Sequence, residues 1–105
     1  MKLYIGGAYQ GQEELARREN LGAEIIPDFH LLLNGFDGDS RAFAEDFCRE
    51  HPDAVIIADE IGCGVVPIDR NDRAWREAAG RALCVLAQSS ESITRVICGI
   101  GVRIK

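Results

Sequence analysis

The sequence predicts an α/β protein of three layers, a mostly parallel sheet between helices. Two patterns carry this reading. Short apolar runs of strand length alternate with segments of helical period along the whole chain, the signature of βαβ units in a doubly wound sheet. One run, Ala54–Ala58 (AVIIA), is apolar on both faces, as a strand inside a parallel sheet must be. With 105 residues the chain makes one domain with one modest core.

The elements follow in order. Lys2–Gly6 reads as a short buried strand that Gly6-Gly7 ends. Gln12–Asn20 reads as a helix with Leu15 and Ala16 inward and Asn20-Leu21-Gly22 as its stop. Ala23–Ile26 is a second strand, broken by Pro27, and Phe29–Leu33 fits strand or helix equally. Asn34–Ser40 is a turn cluster in which Asp39 or Ser40 caps the next helix, Arg41–Glu50, and His51-Pro52 ends that helix. After AVIIA and a Gly62-Cys63-Gly64 loop comes the longest helix, Arg70–Gln88, packed through Ala74, Trp75, Ala78, Ala79, Ala82, Leu83, Val85 and Leu86. Ile93–Cys98 is a further strand. A short antiparallel strand, Val102–Ile104, closes the chain across a Gly99-Ile100-Gly101 turn.

Composition narrows the function. A formal charge of −5 argues against a nucleic-acid binder, which would carry a basic stripe. No apolar run reaches the ~20 residues a bilayer requires. Glu13 and Glu14 come too early for a secretory leader, so a cytoplasmic protein is expected. The cysteines at 48, 63, 84 and 98 form no C-x-x-C pair and have apolar neighbours, which predicts buried reduced thiols and no metal centre.

Three stretches are candidates for chemistry. Gly6, Gly7, Ala8, Tyr9, Gln10, Gly11, Gln12 and Glu13 (GGAYQGQE) fit G-x-x-x-x-G between a strand and a helix, where backbone N–H groups and the helix dipole hold phosphate. The usual lysine is Gln12, which forgoes a charged hydrogen bond of roughly 1.5–3 kcal/mol. The usual hydroxyl is Glu13, whose carboxylate would repel a phosphate charge at about 4 Å by ~4 kcal/mol at an effective dielectric of 20. An ordinary αβ turn therefore stands slightly ahead of a working phosphate site. Asp59 and Glu60, at the end of AVIIA, suit a magnesium- or water-orienting carboxylate and suit a solvated strand end equally. Arg70, Arg73 and Arg76 could reach phosphate, but Asp69, Asp72 and Glu77 are near enough to pair with them. His30 and His51 are isolated by spacing. His51 is read as a helix terminus, and His30 becomes a nucleophile only if the fold carries it to the loop.

The stretch DEIGCGVVPIDRNDRAWREAAGR and the closing GIGVRIK resemble the adenosylcobinamide kinase/adenosylcobinamide-phosphate guanylyltransferase family. Its pattern there is Asn-Glu-Val-Gly-x-Gly-Ile-Val-Pro, an arginine-rich helix and Gly-Ile-x-x-x-x-Lys; the first residues match its opening strand and Gly-Gly-Ala. The resemblance implies a P-loop NTPase-like fold and a homo-oligomer, a trimer in this family. It also implies ATP or GTP with magnesium as cofactor, a corrinoid as substrate and a role in cobalamin biosynthesis. The family has Gly-Lys-Ser at Gly11-Gln12-Glu13 and Asn at Asp59. Its segment with the guanylylated histidine has no counterpart here, and Asp28 matches the aspartate of a later strand. The expectation is a single domain over 1–105, a catalytically impaired nucleotide- or corrinoid-binding homologue, a pseudoenzyme. The alternatives are an active cobinamide kinase, with Glu13 on magnesium and Arg73 or Arg76 replacing the lost charge, or a structural partner of a full-length enzyme.

Overall fold

A computed structural model describes residues 1–62 and 68–105. The sheet runs β2-β3-β1-β4-β5, with β1 Lys2–Gly6, β2 Ile25–Ile26, β3 Val55–Asp59, β4 Ser92–Ile97 and β5 Ile100–Arg103. Every neighbouring pair is parallel except β4 and β5. The helices are α1 Gln12–Glu19, α2 Ser40–Glu50 and α3 Arg70–Ser89, so the expected three-layer α/β architecture is the observed one.

Strand alternation sends side chains to opposite faces and builds two cores. Leu3, Ile56, Ala58 and Ile93 meet Phe29, Ala44, Ala79 and Leu86 on the α2–α3 side. Tyr4, Val55, Ile57 and Val96 meet Leu15 and Ala16 of α1 on the other. AVIIA accordingly lies inside the sheet, between β2 and β1. On α3, Ala79, Ala82 and Leu86 are buried, and Trp75, Ala78, Leu83 and Val85 pack against the core. Ala74 faces solvent instead.

FHLLL resolves as a 3-10 helix, Phe29–Leu33. Asp28 at φ 54 turns the chain out of β2, and the helical spacing then buries Phe29 and Leu33 while Leu31 and Leu32 stay exposed. Phe29 sets its ring edge-on to Phe47, with centroids 5.1 Å apart. Asp39 is the cap of α2, accepting from the N–H groups of Arg41 and Ala42. Asp69 caps α3 in the same way.

Three expectations are corrected. The second strand is only Ile25–Ile26, because Pro27 and the left-handed Asp28 leave no room to extend it. The last turn is Cys98-Gly99, both at positive φ (51 and 77), so Ile97 pairs with Ile100 across a two-residue hairpin and β5 starts there. Gly101 belongs to the strand, where a Cβ would stand 2.7 Å from Leu15 Cδ2. The cysteines are less buried than expected: Cys84, on the outward face of α3, and Cys98, at the hairpin tip, are exposed free thiols, and Cys48 is half-buried. Cys63 lies outside the described residues, as do Gly64, Val66 and Pro67.

A cysteine at φ 51 is strained, whereas asparagine tolerates that conformation and favours this hairpin turn. Cys98→Asn is expected to stabilise the fold by about 0.5–1 kcal/mol, raising the melting midpoint by several degrees in calorimetry. An unchanged or lower midpoint would show that the turn stores no strain.

Candidate functional site

β1 delivers its C-terminal end to the Gly6–Gly11 loop, and α1 begins directly after it. Gly11 occupies the cap position at φ 92, a conformation suited to glycine, and contributes no side-chain cap. The first N–H groups of α1 have no intrahelical partner, and Glu13 and Glu14 sit in this first turn. Two glutamines hold the loop. Gln10 accepts the Gly99 N–H on its backbone carbonyl at 2.7 Å and the Cys98 N–H on Oε1 at 2.8 Å, which ties the loop to the β4–β5 turn. Gln12 is buried, and its Nε2 donates to the Gly7 carbonyl at 2.9 Å and to Asp59 Oδ1 at 3.0 Å. The residue in the lysine's place thus turns inward and bridges the loop to the end of β3.

Asp59 is the hub of the site. Its backbone N–H donates to His30 Nδ1 at 3.0 Å, so the proton of the neutral ring is on Nε2, which lies 3.6 Å from Asp59 Oδ2. His30 is buried beneath the loop site, and Trp75 holds it: the indole N–H donates to the His30 carbonyl at 2.7 Å, and the rings stack at 6.2 Å. The fold therefore carries His30 to the site, but both ring nitrogens face Asp59. That is the geometry of a residue that positions Asp59, and it leaves no nitrogen aimed at a substrate. Burial pushes the Asp59 carboxyl above its ordinary value; His30 pulls it back and the Asp28 carboxylate pushes it further up.

A cavity of about 550 Å³ opens over the loop, between Tyr9 and Gly11 on one side and Asp28 and Asp59 on the other. Glu13, Glu14, Asp28 and Asp59 all line it, and among the described residues no lysine or arginine does. Tyr9, at φ 60, is fully exposed at its mouth. Among the described residues no group of three or more His, Cys, Asp or Glu side chains is arranged to hold a metal ion. The carboxylates are of the kind that bind magnesium together with phosphate oxygens, without forming a cage of their own.

The other candidates lie apart from this cavity. Glu60 donates its N–H to the Gly6 carbonyl at 2.8 Å and pairs with Arg95 at 3.4 Å. Arg73 donates to the Ile68 carbonyl at 2.7 Å and Arg76 to the Gly62 carbonyl, so both are engaged with backbone. Arg70, the first residue of α3, is exposed. A groove of similar size, about 560 Å³, lies over Lys2, Tyr4, Asn20 and Thr94 on the α1 face, away from the loop. There Asn20 Nδ2 donates to the Tyr4 hydroxyl, and that hydroxyl donates to Glu19.

Fold and site together define an α/β protein with a strand–glycine loop–helix unit and a carboxylate at the end of the adjacent strand. The family model "Cobinamide kinase / cobinamide phosphate guanyltransferase" matches residues 29–104, and the chain belongs to that family. Over 88 residues it is 39% identical to the bifunctional adenosylcobalamin biosynthesis protein CobU of Salmonella typhimurium, a match covering 81% of this chain and 49% of the relative. The protein of the same name from Escherichia coli K12 is 39% identical over 59 residues, 55% of this chain and 33% of the relative. The chain thus spans about half the length of the Salmonella relative it matches. Among the described residues no helix is long and apolar enough to cross a membrane.

Two predictions follow from the Asp59 hub. Gln12→Ala leaves the Gly7 carbonyl and Asp59 without the buried amide that satisfies them, and urea denaturation is expected to show a loss of about 1–3 kcal/mol; a loss below ~0.5 kcal/mol would mean that the bridge is dispensable. The second concerns pH. A carboxyl with a raised folded-state pKa binds its proton more tightly folded than unfolded, so its contribution to stability is lost as pH rises through the folded value and regained as pH falls. Wild type is therefore expected to gain stability relative to Asp59→Asn as pH falls from neutral through the raised Asp59 value. A constant difference between the two proteins would contradict the raised carboxyl.

Proposed function

We propose that this chain acts in cobalamin biosynthesis as a nucleotide-binding homologue that has kept the phosphate-cradling shape of its family and lost phosphoryl transfer. The observation that supports it is the Gln12 amide, which is buried and engaged with Gly7 and Asp59. Phosphoryl transfer depends on cations placed where charge gathers on the transferred group. Here the lysine position holds a neutral amide already engaged with Gly7 and Asp59, and four carboxylates, Glu13, Glu14, Asp28 and Asp59, line the space a nucleotide would enter. Their summed field opposes a bare triphosphate, and a magnesium ion bound with it would relieve that repulsion. The open N–H groups at the start of α1 remain as phosphate donors. A cavity of about 550 Å³ suits a nucleotide, whereas a corrinoid would have to lie across its mouth.

Calorimetry with ATP, GTP and adenosylcobinamide, with and without magnesium, tests this reading. Millimolar nucleotide binding only in the presence of magnesium, without turnover, is the expected result. Phosphorylation of adenosylcobinamide would instead establish an active kinase. Absence of any nucleotide heat would reduce the loop to a structural turn and favour a partner role beside a full-length enzyme.

The site also predicts how to strengthen it. Gln12→Lys with Glu13→Ser is expected to raise nucleotide affinity by restoring a cation and removing a carboxylate. Adding Asp59→Asn is expected to raise it further, because Asp59 would otherwise capture the new ammonium. No gain from the triple variant, in a protein that still melts cooperatively, would show that the loop does not cradle phosphate.

A further inference from the structure

The groove on the α1 face shares no residue with the loop cavity. α1 is only eight residues long, and past the cover of Leu15 and Ala16 its face of the sheet turns from apolar to polar. Three adjacent strands present Lys2, Ser92, Thr94 and Arg103 there. The register sets Lys2 beside Ser92, Tyr4 beside Thr94, and Thr94 beside Arg103. Glu19 and Asn20, where α1 ends, and Glu91, just ahead of β4, complete the lining. Four charged groups of both signs, Lys2, Arg103, Glu19 and Glu91, thus share one space of about 560 Å³.

These charges do not pair with one another. Among the described residues none of the four is in an ion pair. Neutral groups hold them apart. Lys2 Nζ donates to Asn20 Oδ1 at 3.2 Å, Asn20 Nδ2 donates to the Tyr4 hydroxyl at 3.0 Å, and that hydroxyl donates to Glu19 Oε1 at 2.8 Å. An ammonium and a carboxylate therefore stand at the two ends of a relay whose middle is a buried amide and a buried phenol, 9 and 5% exposed. Asn20 Nδ2 also donates to the Ala16 carbonyl at 2.8 Å, which anchors the relay to α1. Buried polar groups are costly to unpair, so the relay resists collapse into a direct Lys2–Glu19 bridge. On the far side Arg103 uses Nε on the Lys105 carbonyl at 2.9 Å, and its guanidinium meets no carboxylate among the described residues.

We propose that this groove is a second ligand site, independent of the loop cavity, for a short zwitterion of dipeptide type. Two cations and two carboxylates leave the groove without net charge, so a lone anion or a lone cation gains from one pair and loses to the other. A molecule with both charges gains from each. Its carboxylate lies over Thr94, with Lys2 on the strand to one side and Arg103 on the strand to the other. Its ammonium meets Glu19 and Glu91. An amide between them answers the hydroxyls of Ser92 and Thr94. A single α-amino acid, with its two charges on adjacent carbons, is too short to reach both ends of the relay. The groove is open to solvent, which screens these contacts and sets the affinity in the millimolar range.

Amide NMR titration at neutral pH tests the site with four probes: glycylglycine, glycine, N-acetylglycine as the anion alone and glycinamide as the cation alone. Glycylglycine is expected to give saturable shifts at Tyr4, Asn20 and Thr94, and to bind about tenfold or more tightly than each of the other three, as one additional charge-assisted hydrogen bond allows. Arg103→Gln and Glu91→Gln alter exposed side chains outside both cores. Arg103→Gln is expected to weaken glycylglycine about tenfold without weakening glycinamide, and Glu91→Gln to weaken it without weakening N-acetylglycine. That opposite response separates a charge-matched site from general attraction to a polar surface. No saturable shift with any probe, equal binding of glycylglycine and its single-charge halves, or shifts confined to the Gly6–Glu13 loop would overturn the proposal.

Discussion

The site depends on one buried amide. Gln12 Nε2 joins the Gly7 carbonyl to Asp59 Oδ1 and so fixes the loop against the end of β3. In a loop built to hold an anion, the ligand itself supplies part of the force that keeps backbone donors converging. Here a neutral side chain supplies part of that force, through its bonds to Gly7 and Asp59. The close approach of β1 to β4 adds to the constraint: a Cβ on Gly6 would stand 2.5 Å from the Val96 carbonyl oxygen and 3.1 Å from Gln12 Cδ, so only glycine admits this packing. From Asp59 the connection continues through His30 to Trp75, which links the loop to α3 by successive hydrogen bonds.

Much of the architecture was legible in the sequence because it rests on local patterns. AVIIA announced an interior strand, and the G-x-x-x-x-G spacing placed a turn between a strand and a helix. The turn residues before α2 and α3 contain the aspartates that cap them. What escaped was set by tertiary contact or by unusual backbone. FHLLL could not be assigned by periodicity alone, since five apolar residues satisfy either period; the left-handed Asp28 decided it. The hairpin turn was expected at Gly99-Ile100-Gly101 and lies at Cys98-Gly99, because cysteine is not expected at positive φ and the glycine in the strand imitated a turn.

The site was legible in its parts and not in its wiring. Of the candidates, Ala8, Tyr9, Gly11, Gln12, Glu13, Asp28 and Asp59 line one cavity at the carboxyl ends of β1 and β3. Glu60 and the arginines do not line it. His30 lies 29 residues from Asp59 in sequence, and no spacing rule joins them. Its relevance arises only when β3 and the 3-10 helix are laid side by side. Gln10 was equally silent: its hold on the Cys98-Gly99 turn spans 88 residues and has no sequence signature.

The departures from the family pattern are best understood as coupled. An ammonium at position 12 would face an ionised carboxylate at position 59, and the pair would compete with any phosphate for that charge. A glutamine there satisfies Asp59 with a neutral donor and still has a second proton for the Gly7 carbonyl. Burial raises the Asp59 carboxyl, so the neutral partner leaves part of its desolvation uncompensated, and the His30 ring beneath it moderates that cost. Glu13 and Glu14 then gain from the helix dipole what they would lose beside a triphosphate. Each substitution is tolerable in the presence of the others, and together they favour a self-supporting loop over one completed by its ligand.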